Sequence, residues 1–131
     1  MEILFQDADY VAINKPAGLL SIRDGYNQDL PNAKSVLENT FTKVWTIHRL
    51  DKDTSGVLVF ALNPTAHRQL NFQFETRKIN KKYLALIHGH PPEDHFTIQF
   101  PLKINGDKKH RTIPDSSIGK EALTEIEVLK S

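Results

Sequence analysis

The stretch Gly56-Val57-Leu58-Val59-Phe60-Ala61-Leu62-Asn63-Pro64 decides how this chain folds. Val57 to Leu62 is apolar, β-rich and of strand length, and it reads as a strand buried on both faces. Asn63-Pro64 then opens a helix. The asparagine side chain suits the N-cap, and the fixed φ of proline suits the first helical position. Ala66, Leu70 and Phe74 follow at helical spacing, and the pattern ends near Arg77. Before the run, His48 to Gly56 is dense in polar groups, and a polar loop held by a buried strand is a rigid mount for reactive side chains.

Outward from that centre, Ile3 to Gln6 and Tyr10 to Asn14 read as short strands, with Asp7-Ala8-Asp9 as a turn of hairpin length. Lys15-Pro16-Ala17-Gly18 breaks the strand pattern and predicts a tight connection. Residues from about Asn32 to Phe41 place Val36, Leu37, Thr40 and Phe41 on one helical face. Tyr83 to His88 reads as a strand stopped by Gly89 and by Pro91-Pro92. His95 to Phe100 alternates, with Phe96, Ile98 and Phe100 on one face, and Glu121 to Leu129 alternates around Leu123, Ile126 and Val128. Strands with two helices, in no regular βαβ order, predict an α+β fold: a mixed, mostly antiparallel sheet with flanking helices.

At 131 residues the chain has the size of one domain, and neither a repeat nor a linker divides it. The absence of cysteine removes disulfides and thiolate zinc sites. No apolar run approaches the ~20 residues of a membrane span, and MEILFQDADY lacks the plan of a signal peptide. A cytoplasmic protein with no membrane partner is expected. Net charge is only +1, but the basic residues cluster: Lys78, Lys81 and Lys82 follow Arg77, and Lys103, Lys108, Lys109 and Arg111 form a second group. Each cluster reads either as phosphate contacts or as a solvated loop.

The segment His48-Arg49-Leu50-Asp51-Lys52-Asp53-Thr54-Ser55-Gly56 carries the chemistry. Asp51 offers a carboxylate, and Arg49 a permanent planar cation suited to phosphates or to stacking. Thr54 and Ser55 can donate to a carboxylate or cap local backbone. Each residue also has a plain reading: Asp51 and Asp53 as turn caps, Arg49 as a surface charge, His48 as a core histidine. A metal site built from His48, Asp51 and Asp53 ranks last, because nothing else completes its shell.

His48 to Ala61, HRLDKDTSGVLVFA, resembles the signature of the large-subunit-A type (RluA-like) RNA pseudouridine synthases: His-Arg-Leu-Asp, two variable residues, Thr-Ser-Gly, then an apolar strand ending in Ala. Val11 to Leu19, VAINKPAGL, is similar to the family's first motif. Lys81 to Gly89, KKYLALIHG, resembles the strand bearing its active-site tyrosine, and Gly119 to Thr124, GKEALT, its Gly-Lys-x-Ala-x-Thr element. The motifs stand in family order and cover nearly the whole chain.

The resemblance implies conversion of uridine in ribosomal or transfer RNA to pseudouridine. The N1 glycosidic bond is cleaved, the uracil turns, and it rejoins the sugar through C5, with no cofactor and no metal. Asp51 then attacks the anomeric carbon, or assists the proton abstraction that gives a glycal-like intermediate. Tyr83 matches the tyrosine that packs on the target base; on its own it reads as a strand aromatic. Asp51 and Tyr83 form the expected catalytic set, and Arg49, His48, Thr54 and Ser55 the expected substrate-binding set. Arg49 matches an arginine that fills the gap left by a flipped nucleotide.

Family members carry a Thr-Gly-Arg-x-His-Gln-Ile-Arg segment after the Gly-Lys-x-Ala-x-Thr strand, and its first arginine pairs with the aspartate. This sequence has no such segment. A single, partial catalytic domain over 1–131 is therefore expected, without an RNA-binding S4 module. The alternative is an impaired or truncated RNA-binding remnant, and a metal-dependent hydrolase on His48, Asp51 and Asp53 comes third.

Overall fold

The computed structural model describes residues 1–107 and 111–129. The chain divides into two compact units, Met1–Lys82 and Tyr83–Ser131. The first unit holds β1 (Glu2–Gln6), β2 (Tyr10–Lys15), α1 (Ala33–Glu38), β3 (Trp45–Thr46), β4 (Gly56–Ala61) and α2 (Pro64–Glu75). Its four strands form one antiparallel sheet in the order β1-β2-β4-β3, with Tyr10 opposite Ala61 and Lys15 opposite Gly56. The strand at the centre of the sequence reading is thus internal to the sheet.

Alternation along β2 and β4 sends Val11, Ile13, Leu58 and Phe60 to one face, where α1 covers them with Ala33 and Leu37. Val44 and Leu50 complete this core from the connecting segments. Burying each of the larger side chains contributes about 1.5–3 kcal/mol. The expectation that both faces of β4 are buried needs correction, because Val57 on the opposite face is 59% exposed. α2 packs on β3 and β4, and the carbonyl of its buried Ala66 accepts from the Tyr10 hydroxyl at 3.5 Å. An antiparallel sheet can leave part of a face in water, which an apolar run alone does not reveal.

The local signals at the β1–β2 turn and at both ends of α2 act as read. Asp7 Oδ1 accepts from the amides of Asp9 (2.8 Å) and Tyr10 (2.7 Å) to close the β1–β2 hairpin. Asn32 and Asn63 cap the two helices by accepting from Ser35 N and Ala66 N, each cap contributing about 1 kcal/mol. α2 ends in a Schellman arrangement, with Lys78 N donating to Gln73 O and Arg77 N to Phe74 O. Arg77 takes the left-handed position of that motif at φ 55°.

The second unit holds β5 (His95–Gln99), β6 (Leu102–Lys103), β7 (Ile113–Pro114) and β8 (Leu123–Glu127). β5 pairs with β8 and β6 with β7, both antiparallel, so the α+β class and its antiparallel character hold. The strand expected over Tyr83 to His88 does not form among the described residues. Leu84 is 86% exposed and Leu86 is 103% exposed. Side-chain alternation proposes a face, but a strand also needs a neighbour to take its backbone hydrogen bonds. β6 and β7, at two residues each, are too short to carry a period.

Gly119 starts the Gly-Lys-x-Ala-x-Thr element, and a Cβ there would clash with Asp115 O and meet Leu102 N at 2.9 Å. Asp115 Oδ1 accepts from the hydroxyl (2.6 Å) and amide (2.9 Å) of Ser117 and from Ile118 N, closing the preceding turn. The Ser117 donors hold its carboxyl down at about 2. Gly119→Ala should therefore cost roughly 1–3 kcal/mol through a backbone clash. Loss of the β6–β7 amide protection in hydrogen exchange, with the β2–β4 amides unchanged, is the expected signature. No helix among the described residues is long and apolar enough to cross a membrane.

Candidate active site

Asp51 lies on the loop between β3 and β4, and the residues on both sides of it are fastened through their backbones. Ser21 Oγ donates to Leu50 O (2.6 Å) and accepts from Leu50 N (3.0 Å), so one buried hydroxyl satisfies both backbone groups of the preceding residue. On the other side, Lys52 O accepts from Lys15 Nζ (3.0 Å) and from Gly18 N (2.9 Å). Asp51 O itself accepts from Thr54 N at 3.1 Å, closing the turn over Lys52 and Asp53. The Asp51 side chain is exposed. The result is a carboxylate presented to solvent from a backbone held at three consecutive residues, the pre-organisation that catalysis by position requires.

Lys15 is the part of this mount that sequence reasoning missed. It is fully buried at the end of β2, and its Nζ donates to Pro16 O (3.0 Å), Leu19 O (2.6 Å) and Lys52 O (3.0 Å). Three carbonyls match the three N–H groups of an ammonium. Burial lowers its pKa from the usual 10.5, and the carboxylates of Asp53 and Asp51 oppose that shift. The signal was present in the period of β2: Val11, Ile13 and Lys15 share the inward face. Gly18 takes φ 85° where its amide reaches Lys52 O, so the glycine of the Lys-Pro-Ala-Gly turn serves the same contact. Ser21 carried no signal of any kind.

His48, expected among the substrate-binding residues, is half-buried with its Nε2 accepting from Val59 N at 3.2 Å. Its ring stacks on Phe74 of α2, with centroids 5.2 Å apart. Its pKa is lowered from 6.5, first by burial and then by the field of Lys81. Arg49 and Ser55 are exposed beside Asp51 in sequence, and Thr54 is half-buried. Tyr83, 57% exposed, belongs to the second unit. Among the described residues, no group of three or more His, Asp or Glu side chains is arranged to hold a metal ion, and His48 Nε2 is already engaged by an amide.

The basic clusters differ. Lys78 Nζ lies 5.7 Å from the Phe72 ring centroid, and Lys81 and Lys82 are exposed. In the second cluster Lys103 pairs with Asp115 (3.7 Å) and Arg111 with Asp107 (2.6 Å), which reduces the charge they offer to a phosphate. Lys108 and Lys109 lie outside the described residues.

Residues 9–131 match the family model described as RNA pseudouridylate synthase. The Dual-specificity RNA pseudouridine synthase RluA of Haemophilus influenzae is 36% identical over 98% of this chain, and the tRNA pseudouridine synthase C of Haemophilus ducreyi is 37% identical over 95%. The chain spans 59% and 51% of those relatives' lengths. Among solved structures, Human RNA Pseudouridylate Synthase Domain Containing 4 superposes with a TM-score of 0.74 at 27% identity, covering 99% of this chain and 54% of that one.

Proposed function

This chain belongs to the RNA pseudouridylate synthase family, and on that premise we propose that it isomerises uridine to pseudouridine in structured ribosomal or transfer RNA, with Asp51 as the catalytic carboxylate. Residues 1–131 are read as a single partial catalytic domain that acts in the cytoplasm. The observation that carries the reading is the three-residue backbone mount, which holds Asp51 rigid while leaving its carboxylate open to a substrate.

In this reading Asp51 attacks the anomeric carbon, and the N1 glycosidic bond breaks with its electron pair passing to the uracil. The turned uracil bonds through C5 to the same carbon, expels the carboxylate, and gives up the C5 hydrogen as a proton. The alternative role, assisting removal of a sugar proton to give a glycal-like intermediate, uses the same group from the same place. Arg49, exposed two residues before Asp51, fills the stack after the nucleotide flips, and a guanidinium plane suits that task. Thr54 and Ser55 contact the substrate beside it, Tyr83 packs on the target base, and the lysines near the end of α2 meet phosphates.

Tritium release from RNA labelled at uracil C5 tests the proposal, since only formation of the C5 bond exchanges that hydrogen. Release matched by an equal yield of pseudouridine is expected. RNA binding with no release by this chain would replace the enzyme reading with the RNA-binding remnant.

A further inference from the structure

We infer that His48 is a positioning residue, whose side chain takes the place of a backbone acceptor in the sheet and so pins the Asp51 loop to β4. β3 pairs with β4 only at Trp45–Ala61 and Thr46–Phe60, and beyond Thr46 the chain leaves the sheet edge. The next amide that needs an acceptor on that side is Val59 N, and His48 Nε2 supplies it at 3.2 Å. The imidazole thus extends the ladder after the backbone has turned away, which lets the chain leave the sheet without orphaning a donor. Phe74 holds the ring flat against α2, with an interplanar angle of 19°.

This contact fixes the protonation state. An acceptor Nε2 has no hydrogen, so the neutral ring carries its proton on Nδ1. That Nδ1 is buried and has no hydrogen-bond partner among the described residues. A second proton would enter on Nε2 and face the Val59 N–H directly, so protonation expels the ring from its place. Of the groups packed on it, the Val59 amide and the Phe74 ring do not titrate, and Lys81 is the charged group whose field bears on it. Burial and Lys81 both favour the neutral ring. The sign follows: the folded pKa lies below the unfolded 6.5, so the contribution is complete above 6.5 and is lost as the pH falls from there through the folded value. A link from His48 to activity rests on the proposed role of Asp51; the pin itself does not.

The test uses the full chain and two variants. Glutamine places its amide near Nε2 and asparagine near Nδ1, so His48→Gln should keep the Val59 contact and His48→Asn should lose it. Long-range nitrogen NMR of the wild type should show Nε2 unprotonated, Nδ1 protonated and a titration midpoint below 6.5. Val59 amide protection should survive in His48→Gln and fall at least tenfold in His48→Asn. Tritium release should follow it, through kcat and not KM, and the wild type should lose activity as the pH falls below 6.5, with an acid limb that His48→Gln lacks. A protonated Nε2 in the wild type, or unchanged Val59 protection in His48→Asn, overturns the inference. Absence of tritium release from every form falls on the catalytic reading alone, because the NMR and exchange results stand without it.

Discussion

Asp51→Asn is expected to lower tritium release by on the order of 10³-fold, about 4 kcal/mol of transition-state stabilisation. The substitution keeps the shape and removes the anionic oxygen, so nucleophile and base are lost together. It should leave the fold intact. Every hydrogen bond that fixes this part of the loop goes to backbone: Ser21 to Leu50, Lys15 and Gly18 to Lys52, Thr54 N to Asp51 O. The side chain itself is exposed. Stability within about 0.5 kcal/mol of wild type is therefore expected. Affinity for substrate RNA should change little, since phosphate contacts dominate it. Asp51→Glu is a second, sharper probe. It restores the charge but carries it about one bond further from a backbone that cannot shift to compensate, so recovery should stay well below wild type. Retention of more than a tenth of the wild-type rate by Asp51→Asn would remove Asp51 from the chemistry.

The sequence announced the candidate loop more clearly than it announced what holds the loop. Asp51 stood out as a candidate because its neighbours are unusual together, and β4 was legible because six apolar residues in a row leave few choices. The start of α2 was legible at Asn63-Pro64 because capping is local chemistry, contained within three or four residues. Lys15 and Ser21 act across 37 and 29 positions of sequence, and no local rule reports such a contact. His48 shows the same limit from the other direction. In a dense polar motif its type pointed to the substrate, whereas its geometry turns it to Val59 and Phe74. Val57 and the Tyr83–His88 segment were misread for a shared reason. Their apolar character was visible, but which side is covered and which edge is paired depends on elements distant in the chain.

Lys15→Met should be the most damaging single change to the scaffold, costing about 3–5 kcal/mol. Methionine keeps the aliphatic stem in the core and removes the ammonium. Pro16 O and Leu19 O then lose the donor that Lys15 supplies, and Lys52 O retains only the Gly18 amide. Lys15→Ala adds a cavity and should fall at or beyond the upper end of that range. For a domain of ordinary marginal stability this is a large fraction of the total, equivalent to a drop in Tm of roughly 10–20 °C. Urea unfolding should show a lower midpoint with an unchanged slope. The informative measurement comes afterwards, at a temperature where circular dichroism shows the variant still folded. If Lys15 only fills the core, the folded fraction should release tritium at the wild-type rate. If it mounts the catalytic loop, release should remain at least tenfold down while Ser21→Ala, which frees Leu50 on the other side of Asp51, depresses it in the same way. A loss below 1 kcal/mol on Lys15→Met would show that the three carbonyls are satisfied without the ammonium, and the mount as described would not hold.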